Sequence, residues 1–559
     1  MGETQNKRRR GKKGFVRTYV SGTIRAAVTA LLVILQFSII VALAYFLTEQ
    51  QLVIYYALQV VCTLVIIMLV NKKSSPAYKL AWMTIIAVLP VMGLIMYILW
   101  GRDTGKRLRR GIMKSFEYGY SFESRDEACE AAFAERFPDR VRFKNYMENS
   151  HFPLYGGNRI SYYPFGEDAF EAIVEDLERA EKFVLISFFI VGDGILWEKI
   201  HEILKEKAKK GVKILFLYDD FGSMFRTDKH FREELGAEGI EARVFNPIHR
   251  YVDKLYMNFR NHQKIVVIDG DIGYTGGFNL ADEYINAVER FGVWKDNGVR
   301  IEGEGVFGLT MTFLGMWNSC EKKAANKAAQ NYEDFRPVKK SGKAAPAAND
   351  GQRDGNAAEE RDKTATPADG TADSRADGTF AQIIYDGPAS NPEHTVESVF
   401  RQFVTGSKDY LYITTPYLVL EDSMADSLVE AVRGGVDVRI ITPNIPDKKM
   451  VKLATQYNYG ELLKAGVRIY EYTPGFIHAK TLITSDCCVV GTINMDYRSF
   501  YLHYECGAFM WGEQAVSDVL ADFEKTMGES REITYEEWLG RPWHTKLAQS
   551  IIRLFSTLL

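Results

Sequence analysis

Three long apolar stretches open the chain, at 26–47, 52–70 and 80–100, and none contains Asp, Glu, Lys or Arg. Each has roughly the 20 residues that a helix needs to cross a hydrocarbon core. The pattern predicts N-terminal transmembrane helices, with Pro90 kinking the third. A basic leader (Lys7, Arg8, Arg9, Arg10, Lys12, Lys13) and the triplet Ala42-Leu43-Ala44 also suit a cleaved secretory signal, but the first apolar run is longer than a usual signal core.

From about residue 155 the pattern changes to short apolar runs alternating with amphipathic ones, and it does so twice. "KFVLISFFIV" (182–191) matches "DYLYITTPYL" (409–418), each read as a buried strand. "WEKIHEILKEKAKKG" (197–211) matches "MADSLVEAVRGG" (424–435), two helices ending in the glycine that favours a C-cap. "VKILFLYDD" (212–220) and "VDVRIITPN" (436–444), then "GIEARVFNP" (239–247) and "AGVRIYEYTPG" (465–475), complete each half. Strand–helix–strand order repeated in this way predicts an α/β fold: two related lobes in pseudo-twofold arrangement, with parallel sheets covered by helices. The expected divisions are a basic segment at 1–25, a membrane region at 26–100, a juxtamembrane linker at 101–154, a first repeat at 155–335, an insert at 336–379, and a second repeat with C-terminal helices at 380–559. The insert is rich in Ala, Gly, Asp and Lys with almost no large apolar side chain, so it cannot offset the entropy of folding and is expected to be disordered. The tail 543–559 has an amphipathic pattern compatible with a membrane surface or with packing on the core.

Composition narrows the picture. At 559 residues the chain exceeds one core, and its net charge of −3 argues against a nucleic-acid binder. The six cysteines form no C-x-x-C pair and are read as free thiols, with no disulfide framework or zinc site. Lys and Arg favour a cytoplasmic N-terminus. With three spans the large domain would then lie outside, and with one stretch re-entrant it would lie in the cytoplasm. The basic collar from Arg102 to Lys114 suits anionic headgroups on either face.

The chemistry sits at the end of each repeat. "NHQKIVVIDGDIGYTGGFNL" (261–280) and "IHAKTLITSDCCVVGTINM" (477–495) both read H-x-K, apolar strand, turn, strand, then Gly-(Gly/Thr)-x-Asn. On a strand, alternation would turn His262 and Lys264, and likewise His478 and Lys480, to one face. Phosphodiester chemistry needs a nucleophile, an acid for the leaving oxygen, and cationic or hydrogen-bonding groups on the phosphoryl oxygens. One imidazole can attack phosphorus while the other moves protons, with Lys264, Lys480, Asn279 and Asn494 on the oxygens. No metal ion or other cofactor is expected, since no His/Cys/carboxylate cluster has ligand spacing. His503 falls on the face of Glu505 by alternation. Tyr417, at a strand end, is a substrate contact or a core residue. His201, His249, His394 and His544 read as solvent-facing.

This paired pattern resembles the phospholipase D superfamily, whose motif is H-x-K-x(4)-D followed by G-G/S/T-x-N. His262, Lys264, Asp269, Gly276, Gly277 and Asn279 match it fully; His478, Lys480, Gly491, Thr492 and Asn494 match the second copy. The second copy departs at the Asp, where Ser485 stands in the expected place and Asp486 follows one position later. The resemblance implies catalytic motifs at His262, Lys264, Asp269 and at His478, Lys480, Asp486, the Asp generally being structural. It also implies that a downstream carboxylate in each half orients the catalytic imidazole: Asp296 in "WKDNG" and Glu505 in "YLHYE" stand at similar offsets after His262 and His478. Within the superfamily, "SSPAYKLAWMTIIAVLPVMGLIMYILWG", "LYDDFGS", "ELLKAGVRIYEYTPGFIHAKT" and "GTINMDYRSFYLHYE" are similar to bacterial cardiolipin synthases. That implies a multi-pass plasma-membrane transferase acting on phosphatidylglycerol and other membrane phospholipids. The rivals are a phospholipase that admits water, a nuclease, and a non-catalytic scaffold.

Overall fold

The computed structural model of the protein describes residues 34, 38, 49–72, 74–101, 106–228, 230–247, 258–320, 330–337, 378–388 and 394–558. Almost all of the first apolar stretch, the position of His249, and residues 338–377 of the expected insert lie outside them. Thr379, the last position of that insert, already begins the strand Thr379–Asp386.

Among the described residues one helix is long and apolar enough to cross a membrane. It is Glu49–Asn71, whose 19-residue stretch Val53–Asn71 has a mean hydropathy of 2.5. The stretch 80–100 is not the single kinked span expected. It forms Pro76–Val88, 13 residues started by the Ser75 cap, and then Pro90–Met96, followed by a π turn over Tyr97–Gly101. Pro90 has no N–H to continue the ladder and holds the preceding residue out of the helical region, so Leu89 sits at φ −125°, ψ 72°. Thirteen residues rise only about 20 Å, against a core of about 30 Å. Trp82 and Ile86 bury against Cys62 and Leu69 of the longer helix, so these pieces form one apolar cluster.

The segment expected as a linker is folded. Helices Lys106–Tyr120, Glu127–Arg136 and Val141–Asn149 send Ile112, Phe116, Phe133, Phe143 and Met147 into the main core, which residues of both halves build. Those five side chains need burial, which the charged positions between them conceal in a composition count.

The two halves share one sheet. From one edge to the other its strands are Ser530–Ile533, Arg468–Tyr472, Asp437–Pro443, Tyr410–Thr414, Thr481–Ile483, Cys487–Gly491, His503–Trp511 and Thr379–Asp386, then Tyr155–Tyr163, Gly298–Glu302, Ile272–Gly276, Ile265–Ile268, Phe183–Phe188, Lys213–Asp219 and Glu241–Phe245. The order read outward from the centre is the same in both directions, apart from the extra edge strand Ser530–Ile533. The halves join through Tyr155–Tyr163 antiparallel to Thr379–Asp386, with Tyr155 opposite Ala381. The expected parallel pairing holds for Phe183–Phe188, Lys213–Asp219 and Glu241–Phe245 and for their second-half counterparts; pairings nearer the join are antiparallel. The sheet is therefore mixed.

Candidate active site at the junction of the halves

Neither H-x-K lies on a regular strand. The short strand Arg260–Asn261 ends just before His262, and Ile265–Ile268 starts just after Lys264; Gly475–Ile477 and Thr481–Ile483 flank His478–Lys480 in the same way. The reason is that each motif leaves its own half. Arg260–Asn261 pairs parallel with His503–Tyr504 of the second half, and Gly475–Ile477 pairs parallel with Val293–Lys295 of the first. The His262 N–H donates to the Tyr504 carbonyl at 2.9 Å, and the His478 N–H to the Lys295 carbonyl at 2.7 Å. Alternation within one strand is thus not what sets these side chains.

This exchange crosses the carboxylates. Glu505 Oε2 accepts from His262 Nδ1 at 2.8 Å, and Asp296 Oδ2 accepts from His478 Nδ1 at 2.6 Å. Each imidazole is aligned by the carboxylate of the other half. Glu505 is fixed further by the Thr492 and Ser499 hydroxyls, and Asp296 by the Asn297 N–H. Gly277 stands where the second half has Thr492; a Cβ there would lie 2.0 Å from Asp296 Oδ1, so this close approach requires glycine.

Burial and charge tune the groups. The two imidazoles are nearly buried, with side chains 10% and 8% exposed. Burial, reinforced by Lys264, Lys480 and His478, holds His262 well below the ordinary histidine value. Burial and then Lys480 lower His478 to about 4, against the opposing pull of Asp296. The same burial lowers Lys264 to about 7 and Lys480 to about 8. These mutual charge effects across the motifs mean that both imidazoles and both ammoniums share one electrostatic environment. Lys264 Nζ donates to the His262 carbonyl at 2.5 Å, and Lys480 Nζ to the carbonyl of His478.

Asn279 and Asn494 are buried beside the motifs. Asn279 accepts from the Ile190 N–H and donates to the Tyr284 hydroxyl; Asn494 donates to Ser499 Oγ, and its Oδ1 is buried with no partner among the described residues. Asp269 and Asp486 are not with the imidazoles, which corrects their assignment as catalytic. Asp269, at φ 53° in the turn after Ile265–Ile268, accepts from the N–H groups of Glu181, Lys182 and Phe183. Asp486 pairs with buried Arg140 through contacts of 2.6 and 2.9 Å, tying the helical segment before the first repeat to the second. The one-residue displacement from Ser485 thus serves an anchor. Asp486→Ala is expected to lower stability by about 2 kcal/mol, because Arg140 would stay buried with the Gly406 carbonyl but without its paired carboxylate. Thermal melts in detergent check this, and kcat per folded molecule should be unchanged.

The motifs alone did not disclose the walls. Phe189 packs edge-on to His262 at 5.0 Å, and Tyr284, Trp294 and Phe476 surround His478 at 5.7, 5.5 and 5.8 Å. His503, anticipated from alternation, lies 5.4 Å from the His262 ring, with Nδ1 3.6 Å from Glu505 Oε1 and Nε2 facing Arg498. Tyr417 donates to Asp447 at 2.6 Å and accepts from Lys448, whose charge reaches His262. Tyr417 therefore belongs to the surroundings of the site. His394 is half-buried against the Tyr501 ring, not solvent-facing, and His201 stacks on Trp197 beside Glu238; His544 is exposed.

A family model described as cardiolipin synthase, PLD-like domain, matches residues 173–299 and 400–527, and one described as phospholipase D-nuclease N-terminal matches 57–102. The chain is 30% identical to the major cardiolipin synthase of Bacillus subtilis, over 90% of this chain and 98% of that one. It is 29% identical to a cardiolipin synthase of Geobacillus kaustophilus, over 91% and 95%. It is 34% identical to an uncharacterised protein of Streptococcus mutans, over 88% and 99%. Among solved structures, phosphatidylserine synthase of Haemophilus influenzae superposes with a TM-score of 0.53 at 13% identity, over 75% of this chain and all of that one, a likeness of fold.

Proposed function

Because the chain belongs to the cardiolipin synthase family with paired phospholipase D-like domains, we propose that it moves a phosphatidyl group from one phosphatidylglycerol to another, giving cardiolipin and glycerol. The observation that carries the reading is the pair of crossed imidazole–carboxylate contacts, flanked by two buried lysines.

The reaction needs two displacements at phosphorus. With Nδ1–H held by Glu505, His262 Nε2 is the lone pair that attacks; the phosphorus–glycerol oxygen bond breaks and a phosphohistidine forms. His478 gives its Nε2 proton to the departing glycerol oxygen, the imidazolium being stabilised by Asp296. The anionic phosphodiester, seated between Lys264 and Lys480, offsets the ammonium charges that depress both imidazoles. The terminal hydroxyl of a second phosphatidylglycerol then gives its proton to His478 and attacks phosphorus, and the P–N bond breaks. Purified protein with phosphatidylglycerol labelled in acyl chain and headgroup tests the reading. Labelled cardiolipin and glycerol support it; phosphatidic acid and glycerol mark a hydrolase, and no product marks a scaffold.

The lysines set a pH signature. As pH rises through about 7 to about 8, Lys264 and Lys480 lose the charge that holds the phosphoryl oxygens. We therefore expect kcat/KM to fall across that window. The limb in kcat should lie at higher pH, because bound phosphodiester favours the ammonium forms. Rate profiles in mixed micelles check this; a flat kcat/KM from about pH 6 to about pH 9 would contradict it.

We also propose a multi-pass plasma-membrane protein in which 26–47 and the helix Glu49–Asn71 are the spans. With the broken 80–100 stretch leaving an even number of spans, the basic N-terminus and the catalytic halves share the cytoplasmic face. A C-terminal green fluorescent protein fusion should fluoresce and a C-terminal alkaline phosphatase fusion should be inactive.

A further inference from the structure

The C-terminal helix Trp543–Phe555 is two-faced. Gln549 and Ile552 are buried, Ile552 against Val419, Ala454 and Val451. The helix lies on Lys449–Ala465 and also touches Pro76–Val88, and Leu558 beyond its end joins the cluster of Trp82 and Ile86 that packs on the spanning helix. Its other face exposes large apolar groups at four-residue spacing: Trp543 is 75% exposed, Leu547 52% and Ile551 52%. Four-residue spacing puts them in one row.

Charge along this segment has one sign. From 541 to 559 the sequence has Arg541, Lys546 and Arg553 and no Asp or Glu. Arg553 shares its charge with Asp422 at 2.8 Å, across the gap to a neighbouring helix. The row also leads toward the site. Lys449–Ala465, on which the helix rests, begins beside Lys448, the residue that touches Tyr417 and whose charge reaches His262. Ile445 and Met450, either side of Lys448, are exposed as well, and so are Leu80 and Val88 of the touching helix.

We propose that the Trp543–Leu547–Ile551 face is an interfacial helix that lies in the headgroup layer of an anionic bilayer and keeps the mouth of the site against the lipid surface. Three features commit it to lipid. The helix is tied, through Leu558 and its contact with Pro76–Val88, to the cluster that packs on a helix apolar enough to span. Exposed Lys546, on a segment without acidic residues, complements anionic headgroups. Its tryptophan marks the kind of residue that favours the boundary between headgroup and acyl chain. Removing three such groups from water leaves the fold untouched, since none is part of the core.

The proposal rests on the lipid-substrate reading for its purpose, but its test reads membrane contact directly. Full-length protein carrying Leu547→Cys, labelled with bimane, is placed in nanodiscs containing bromine-labelled lipid. The unsubstituted protein, labelled in parallel, supplies the background from native cysteines. Blue-shifted emission quenched by the bromolipid, more strongly with phosphatidylglycerol than with phosphatidylcholine alone, is the expected result. Equal quenching in both lipids, or emission quenched by aqueous iodide and not by lipid, would overturn it. So would a label shielded from lipid and iodide alike together with cross-linking between copies, which would assign the face to a second chain. The triple variant Trp543→Ser, Leu547→Ser, Ile551→Ser should raise KM for phosphatidylglycerol in bilayers about tenfold at unchanged kcat. Loss of cardiolipin synthesis in the parent protein would sink the reaction proposed above while leaving the quenching result intact.

Discussion

Alanine at His262 is expected to lower phosphatidylglycerol turnover by at least about 10³-fold, equivalent to about 4 kcal/mol of transition-state stabilisation. Among the described residues no neighbour is placed to take over. His503 Nε2 accepts from Arg498 Nε, which engages the lone pair that an attack on phosphorus would need. The two histidines should fail differently. His262→Ala forms no phosphoenzyme with radiolabelled lipid in a rapid-quench experiment. His478→Ala should regain much of its rate on a phosphodiester with a p-nitrophenyl leaving group, which departs without a proton. Phosphoenzyme retained by His262→Ala and lost by His478→Ala would exchange the two roles, and normal turnover by His262→Ala would move the site elsewhere.

Glu505→Gln is expected to cost about 10²–10³-fold, and to do so in the step that His262 carries. The amide keeps the size of the side chain but can no longer stabilise the charge that forms on the imidazole as its other nitrogen bonds to phosphorus. Asp296→Asn should act through His478 instead. Leaving-group rescue therefore works for Asp296→Asn and not for Glu505→Gln. In double-variant cycles Glu505→Gln adds little to His262→Ala but compounds with His478→Ala. Pairing within each half would give the opposite pattern, so the cycles test the crossed geometry directly.

Much of this site could be read from residue order. His262, Lys264, His478 and Lys480 stand out because a polar pair followed by an apolar run is an unusual local pattern, and its repetition in register is more unusual still. The two-half architecture was legible for the same reason: "KFVLISFFIV" and "DYLYITTPYL" each carry the apolar run of a buried strand in a few adjacent positions. Asp269 and Asp486 were harder. A carboxylate looks alike in sequence whether it faces a substrate or accepts from the N–H groups of Glu181, Lys182 and Phe183. The break after Val88 was half visible, since Pro90 marks a bend; that the pieces would pack against Cys62 and Leu69 was not.

Patterns carried by neighbouring residues, the repeat, the apolar runs and the two H-x-K triplets, were therefore fixed by the order of amino acids along the chain. Which carboxylate serves which imidazole was not, because offsets along a chain do not say which strands will lie side by side. That followed from Tyr155–Tyr163 joining Thr379–Asp386 in one sheet, which brings His503–Tyr504 beside Arg260–Asn261 and Val293–Lys295 beside Gly475–Ile477. Glu505 and Asp296 meet their partners across 243 and 182 positions of chain, distances over which packing alone decides contact.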